Sequence, residues 1–226
     1  MDEKHVFVLD TETDRMNKGH PVFRNAQGMK ELAWVVCLPD GKQLAKRNFF
    51  FVSGDEDQTQ KNKITLGEPD KKHVDPHVAL LALHDDLLRA AGATFVAHNA
   101  KFDRDVVLFA VHDKQTLLED KQRAFLNACL KKDFFCTMKT SMAFCRLEPK
   151  VTKNGIRYKP PKLHQLYEAV QAAQKARVLS RKSVISLEDP ASVMPAIKYK
   201  ELHGAAYDAE VLCLCYFEGQ KLKAFG

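Results

Sequence analysis

The chain opens on Val6-Phe7-Val8-Leu9, an apolar run that ends in Asp10-Thr11-Glu12-Thr13. β-branched and aromatic residues in such a run read as a buried strand. Alternation along a strand places Asp10 and Glu12 on the same face. Like charges held side by side repel, and folding gains nothing from them alone. A bound cation is the usual compensation, so the pair predicts a metal site at the end of the first strand.

The 226 residues suffice for one α/β domain with a sizeable core, and no Gly/Ser/Pro-rich linker divides them. Hydrophobic residues at 45% and charged residues at 28% fit a water-soluble globular fold. No apolar stretch is long enough for a membrane helix. Met1-Asp2-Glu3-Lys4-His5 leads straight into the strand without a signal-peptide core, which predicts an intracellular, soluble protein, cytoplasmic or nuclear. Six cysteines occur without a Cys-x-x-Cys pair, so they read as reduced thiols packed as small hydrophobes. His73 and His77 have helical zinc spacing, but Pro76 lies between them; Asp75-Pro76 reads instead as a helix N-cap and first turn.

Net charge is +6, and its distribution matters more than its size. From Arg146 to Lys182 ten Lys/Arg face two Glu, a segment charge of +8 that leaves −2 for the remainder. A concentrated basic stretch suits a polyanion partner. A solvated basic surface is the competing reading.

Strands are expected at 5–10, 31–38, 48–52, 94–97 and 134–136, with a turn at Asp40-Gly41. Residues 14–30 and 53–74 read as loops. A helix begins at Asp75-Pro76, with Leu80, Leu81, Leu83, Leu87 and Leu88 at helical spacing. Further helices are expected from about Phe102, with Val106, Phe109 and Ala110 inward, and at 119–131, 137–145, 163–176 and 204–217. Residues 146–160 read as turn-rich and 178–200 as irregular. The pattern predicts an α/β fold, a mixed sheet of about five strands flanked by helices, as a single domain over 1–226 with a basic insertion at about 146–200.

Further acidic and histidine residues then fall beside the expected strand ends. Asp103 stands at the start of a helix just after the fourth strand. Asp208 stands in the first turns of the last helix, with His203 on the loop before it.

Three motifs in order now resemble those of the DEDDh exonucleases, the DnaQ-like family of the ribonuclease-H-like fold. They are Asp10-Thr11-Glu12, His98-Asn99-Ala100-Lys101-Phe102-Asp103 and His203-Gly204-Ala205-Ala206-Tyr207-Asp208. The sibling class has Tyr four residues before the last Asp, where this chain has Gly204. Two departures stand out: Thr13-Asp14 where the family often has Thr-Gly, and a longer stretch before His203. The resemblance implies a 3′–5′ exonuclease using two divalent ions, Mg²⁺ or Mn²⁺. It releases nucleoside 5′-monophosphates from the free 3′ end of a nucleic acid, with DNA preferred over RNA. Asp10, Glu12, Asp103 and Asp208 would hold the ions, hard oxygen ligands for hard cations. His203 would be the general base. Thr11, Thr13 and Asn99 would position the terminal nucleotide, with His98 either helping or shaping the turn. Arg177, Arg181 and Lys182 in the basic segment would guide the substrate backbone. Two alternatives share the fold: an accessory or proofreading subunit of a polymerase or repair complex, and a catalytically silent nucleic-acid-binding module. A homodimer is also compatible, and no membrane partner is expected.

Overall fold

The computed structural model describes residues 4–13, 28–51, 74–153, 155–182 and 204–225, with backbone alone for 115 and 179–182. β1 (Val6–Thr13) lies at the centre of a sheet ordered β3-β2-β1-β4-β5, formed with β2 (Met29–Cys37), β3 (Gln43–Phe50), β4 (Thr94–Ala97) and β5 (Phe135–Cys136). β1, β2 and β3 pair antiparallel, whereas β4 and β5 run parallel to β1. This is the expected mixed sheet of five strands. A separate hairpin joins β6 (Lys150–Thr152) to β7 (Gly155–Arg157).

Alternation along the strands sorts the core into two layers. Phe7, Leu9, Leu32, Trp34 and Val36 meet one set of helices: α1 (Pro76–Arg89), α2 (Ala100–His112) and α3 (Asp120–Leu130). Val6, Val8, Ala33, Val35 and Cys37 meet the other set, α6 (Leu163–Lys182) and α7 (Ala205–Lys221). Both layers exclude water: Phe7, Leu9, Trp34, Leu80, Leu166 and Leu212 are fully buried. Burying each such side chain stabilises the fold by about 1.5–3 kcal/mol.

Several boundaries differ from the sequence reading. β3 starts at Gln43 because pairing to β2, not an apolar pattern, carries it. Lys46 and Arg47 on this edge strand discourage pairing with other chains. α1 is capped as expected, with the Asp75 side chain accepting from His77 N at 2.7 Å. Leu88 and Phe109, expected inward, are about half exposed at 51% and 41%. The helix expected over 137–145 breaks into α4 (Thr137–Thr140) and α5 (Met142–Cys145). There the Thr140 and Ser141 hydroxyls donate to the carbonyls of Cys136 and Thr137, competing with the helical ladder. The turn-rich segment contains the β6–β7 hairpin, and α6 and α7 run on to Lys182 and Lys221. The loops predicted at 14–30 and 53–74, and the irregular stretch from 183, lie largely outside the described residues. All six cysteines are free thiols. No helix among the described residues is long and apolar enough to cross a membrane.

Candidate active site

The carboxylates come from three elements that meet at one end of β1. Asp10 and Glu12 share the parity of Val6 and Val8, so they face α6 and α7. Asp208 sits in the first turn of α7 behind Gly204, its N-cap. Ala205 and Ala209 are fully buried, and their small side chains let the helix close on the sheet. One carboxylate oxygen from each of Asp10, Glu12 and Asp208 lies within 4.8 Å of the others. Among the described residues this is the group with the spacing of a metal site, and no cysteine takes part.

Asp103 arrives from the opposite layer. It lies in the first turn of α2 and is 3% exposed. Thr11, of opposite parity to Asp10, donates to Asp103 Oδ1 through its backbone N (3.1 Å) and its hydroxyl (2.9 Å). Two helix N-termini thus bring one carboxylate each, where the helix dipole favours negative charge. The Thr11 side chain is committed to holding Asp103; of the other residues predicted to position the nucleotide, Thr13 is partly buried and Asn99 is exposed.

The cluster resists ionisation. Burial first, then Asp103, Asp208, Glu12 and Glu31, push the Asp10 carboxyl well above its ordinary range. Glu12 is pushed up to about 7 by burial and by Asp208, Glu31 and Asp103, with Lys30 opposing. Asp103 is pushed up to about 7 by burial against the pull of its Thr11 hydrogen bonds, with Asp208 adding to the rise. A divalent cation is the compensation these groups lack, and an all-oxygen donor set matches Mg²⁺ or Mn²⁺ rather than zinc.

Glu31 was not apparent in the sequence as part of this site. It stands opposite Glu12 in the β1–β2 register and is 8% exposed. Its Oε1 accepts from Ala206 N at 3.3 Å, supplying the cap that Gly204 has no side chain to provide. The available signal was an acidic residue heading the apolar run Leu32–Cys37.

His98 holds the adjoining turn. The β1–β4 register continued by two steps and the β4–β5 register continued by one bring Asp10, His98 and Thr137 into line just past the strand ends. His98 Nε2 lies 3.0 Å from the Pro161 carbonyl, which can only accept, so Nε2 carries the proton. Nδ1 then accepts from the Thr137 hydroxyl at 3.0 Å. Burial holds the ring neutral, its pKa pushed down to about 4. Both ring nitrogens are engaged within the protein, which assigns His98 to shaping the turn rather than to the nucleotide contact.

The basic segment divides in two. α6 and α7 run side by side in the same direction, joined by Gln174–Glu218 and by Arg177 Nη1 donating to Lys221 O at 3.3 Å. Lys221 lies thirteen residues beyond Asp208, roughly 20 Å along the helix. Arg177 therefore lies away from the carboxylates, toward the far end of α7. Arg181 and Lys182 continue the same helix still further on, and their side chains, like the whole of His203, lie outside the described residues.

Neither a family model nor a curated relative matches this sequence. Two solved structures resemble the fold. One is product-bound exonuclease I, at 11% identity and a TM-score of 0.49, over 97% of this chain and 44% of that one. This chain thus spans less than half of the exonuclease I chain. The other is S. pombe Pop2p in a Mg²⁺- and Mn²⁺-bound form, at 14% identity and a TM-score of 0.50, over 96% of this chain and 82% of that one. The mixed five-stranded sheet and its flanking helices are thus an α/β fold that this chain shares with Pop2p.

Proposed function

We propose that the chain is a divalent-metal-dependent 3′–5′ exonuclease of the DEDDh type, releasing nucleoside 5′-monophosphates from the 3′ end of a nucleic acid, DNA in preference to RNA. The observation that carries this reading is the convergence of Asp10, Glu12 and Asp208 oxygens within 4.8 Å, with Asp103 pinned beside them by Thr11. That Pop2p, of the same fold, is known with Mg²⁺ and Mn²⁺ bound supports the choice of cation.

Asp10, Glu12, Asp103 and Asp208 would hold two ions, which supply Lewis acidity toward the phosphate oxygens when bound. His203, immediately before the N-cap of α7, takes the proton from the attacking water. Histidine is the side chain whose ordinary charge change falls near neutral pH, which suits a general base. The water oxygen bonds to phosphorus as the bond to the 3′-oxygen of the penultimate nucleotide breaks. That oxygen collects a proton, and the terminal nucleotide leaves as its 5′-monophosphate. Asn99, exposed at the start of α2, and Thr13, at the end of β1, would contact the terminal sugar.

The test is a time course on 5′- and 3′-labelled strands of DNA and RNA, with Mg²⁺, with Mn²⁺ and with chelator. Stepwise shortening of the 5′-labelled strand, lost on chelation and in Asp10→Ala, is the expected result. Full activity in Asp10→Ala, or internal cleavage, would overturn the assignment.

A further inference from the structure

The β6–β7 hairpin carries an apolar pair with no core to cover. Val151 and Ile156 are cross-strand partners, so they lie side by side on one face. They are 89% and 62% exposed. Lys150 and Arg157, the adjacent ladder pair, project from the opposite face of the hairpin, and Lys153 lies at the turn. From Lys150 to Lys162 the chain has five basic residues and no acidic one. An isolated two-stranded hairpin is marginal in water, and such a cross-strand pair adds only about 0.2–1 kcal/mol to it.

The hairpin is rooted at the site. Leu147 O accepts from Lys159 N at 2.9 Å, closing its base. Pro161, just beyond, accepts from His98, which directly precedes Asn99, the N-cap of the helix that carries Asp103. α6 then leads away, carrying Arg177 to the distant end. Of the two halves of the basic segment, the hairpin is the one held at the carboxylate edge.

We propose that this hairpin is a wedge for the end of a nucleic-acid duplex. Val151 and Ile156 stack against the terminal base pair and part it, while Lys150, Lys153 and Arg157 take phosphates of the displaced strand. The charge selects a polyanion, and the apolar pair gives it a base face to meet. Deepening the exonuclease reading on which it rests, the wedge makes a blunt or recessed duplex end a substrate by freeing its 3′ strand for the site.

Two measurements test it on the whole protein. In chelator, where no hydrolysis occurs, a blunt duplex with 2-aminopurine at its 3′ terminus brightens on binding as the base unstacks. Val151→Ser/Ile156→Ser is expected to abolish the brightening. With Mn²⁺, the same double variant should slow trimming of the blunt duplex about tenfold and leave a dinucleotide within about twofold. Equal brightening by both proteins overturns the wedge, whatever the hydrolysis shows. A wild-type dimer that the double variant dissociates also overturns it, assigning the pair to a contact between copies. Brightening without hydrolysis of any substrate would sink the exonuclease reading and leave the wedge standing.

Discussion

Replacing Asp103 by asparagine isolates what the carboxylate cluster costs the fold. Asn keeps an Oδ1 to accept from Thr11 N and Oγ1 and removes one negative charge. In the native protein the carboxyl sits at about 7 against its ordinary 3.8. The folded state therefore binds the proton more tightly than the unfolded chain. Well below the ordinary 3.8 both states are protonated and nothing is lost. As pH rises toward 7 the unfolded chain ionises first, and stability falls. At about 1.4 kcal/mol per pH unit of displacement, the loss approaches 4 kcal/mol at pH 8. The asparagine NH₂ returns part of the gain, because an unmet buried donor costs about 1–3 kcal/mol. The net expectation is that Asp103→Asn is more stable than the parent by about 2 kcal/mol at pH 8 without metal, or about 4–8 °C in Tm. Urea unfolding in chelator reads this directly, since Trp34 is the single tryptophan and is fully buried. The advantage should vanish and then change sign as pH falls below 4, where only the unmet asparagine donor, about 1–3 kcal/mol, separates the two, and at pH 8 saturating Mn²⁺ should reverse it by binding the intact cluster. A variant less stable than the parent at pH 8, or a gap equal at pH 4 and pH 8, would refute the argument.

Three further predictions concern the residues around that cluster. His203→Ala should lower kcat at least about a hundredfold while Mn²⁺ binding, followed by calorimetry, is retained; an unchanged rate removes His203 as the base. Glu31→Gln keeps an acceptor for Ala206 N and should stay within a few-fold of the parent rate, whereas Glu31→Ala should lose roughly tenfold; equal effects of the two would show that the charge, not the hydrogen bond, matters. Arg177→Gln should leave dinucleotide turnover unchanged, and a large loss there would contradict its placement at the Lys221 end of α7.

The four clustered carboxylates were readable in the sequence because each is tied to a local rule. Strand parity pairs Asp10 with Glu12, and helix starts place Asp103 and Asp208. What local rules do not carry is what joins the layers. Nothing near Glu31 in sequence says that it faces Glu12, because that register belongs to a long connection rather than a tight turn. Arg177 and Lys150 belong to the same basic stretch, yet α6 is long enough to move one of them roughly 20 Å from the site. Phe109 and Leu88 fit an inward stripe by spacing, but the sheet covers less of each helix than the stripe is wide.

The same parity rule explains why the site lies at this end of β1 and not elsewhere. A strand covered on both faces offers alternate residues to opposite layers, so Asp10 and Glu12 reach α7 while Thr11, between them, reaches α2. One tripeptide thus ties both helix layers to a common point. Asp103 cannot shift without breaking two hydrogen bonds to Thr11, and Asp208 cannot shift without drawing Ala206 from Glu31. The geometry is therefore set before any cation arrives, at the cost of the repulsion that raises Asp10, Glu12 and Asp103. Binding then relieves a strain already present rather than ordering loose ligands. On that logic Thr11→Val, which keeps the backbone donor but removes the hydroxyl, should weaken Mn²⁺ binding by releasing Asp103, even though Thr11 itself touches no ion. Calorimetric titration at pH 8 measures this, and an affinity equal to the parent's would show that α2 holds Asp103 without help from β1.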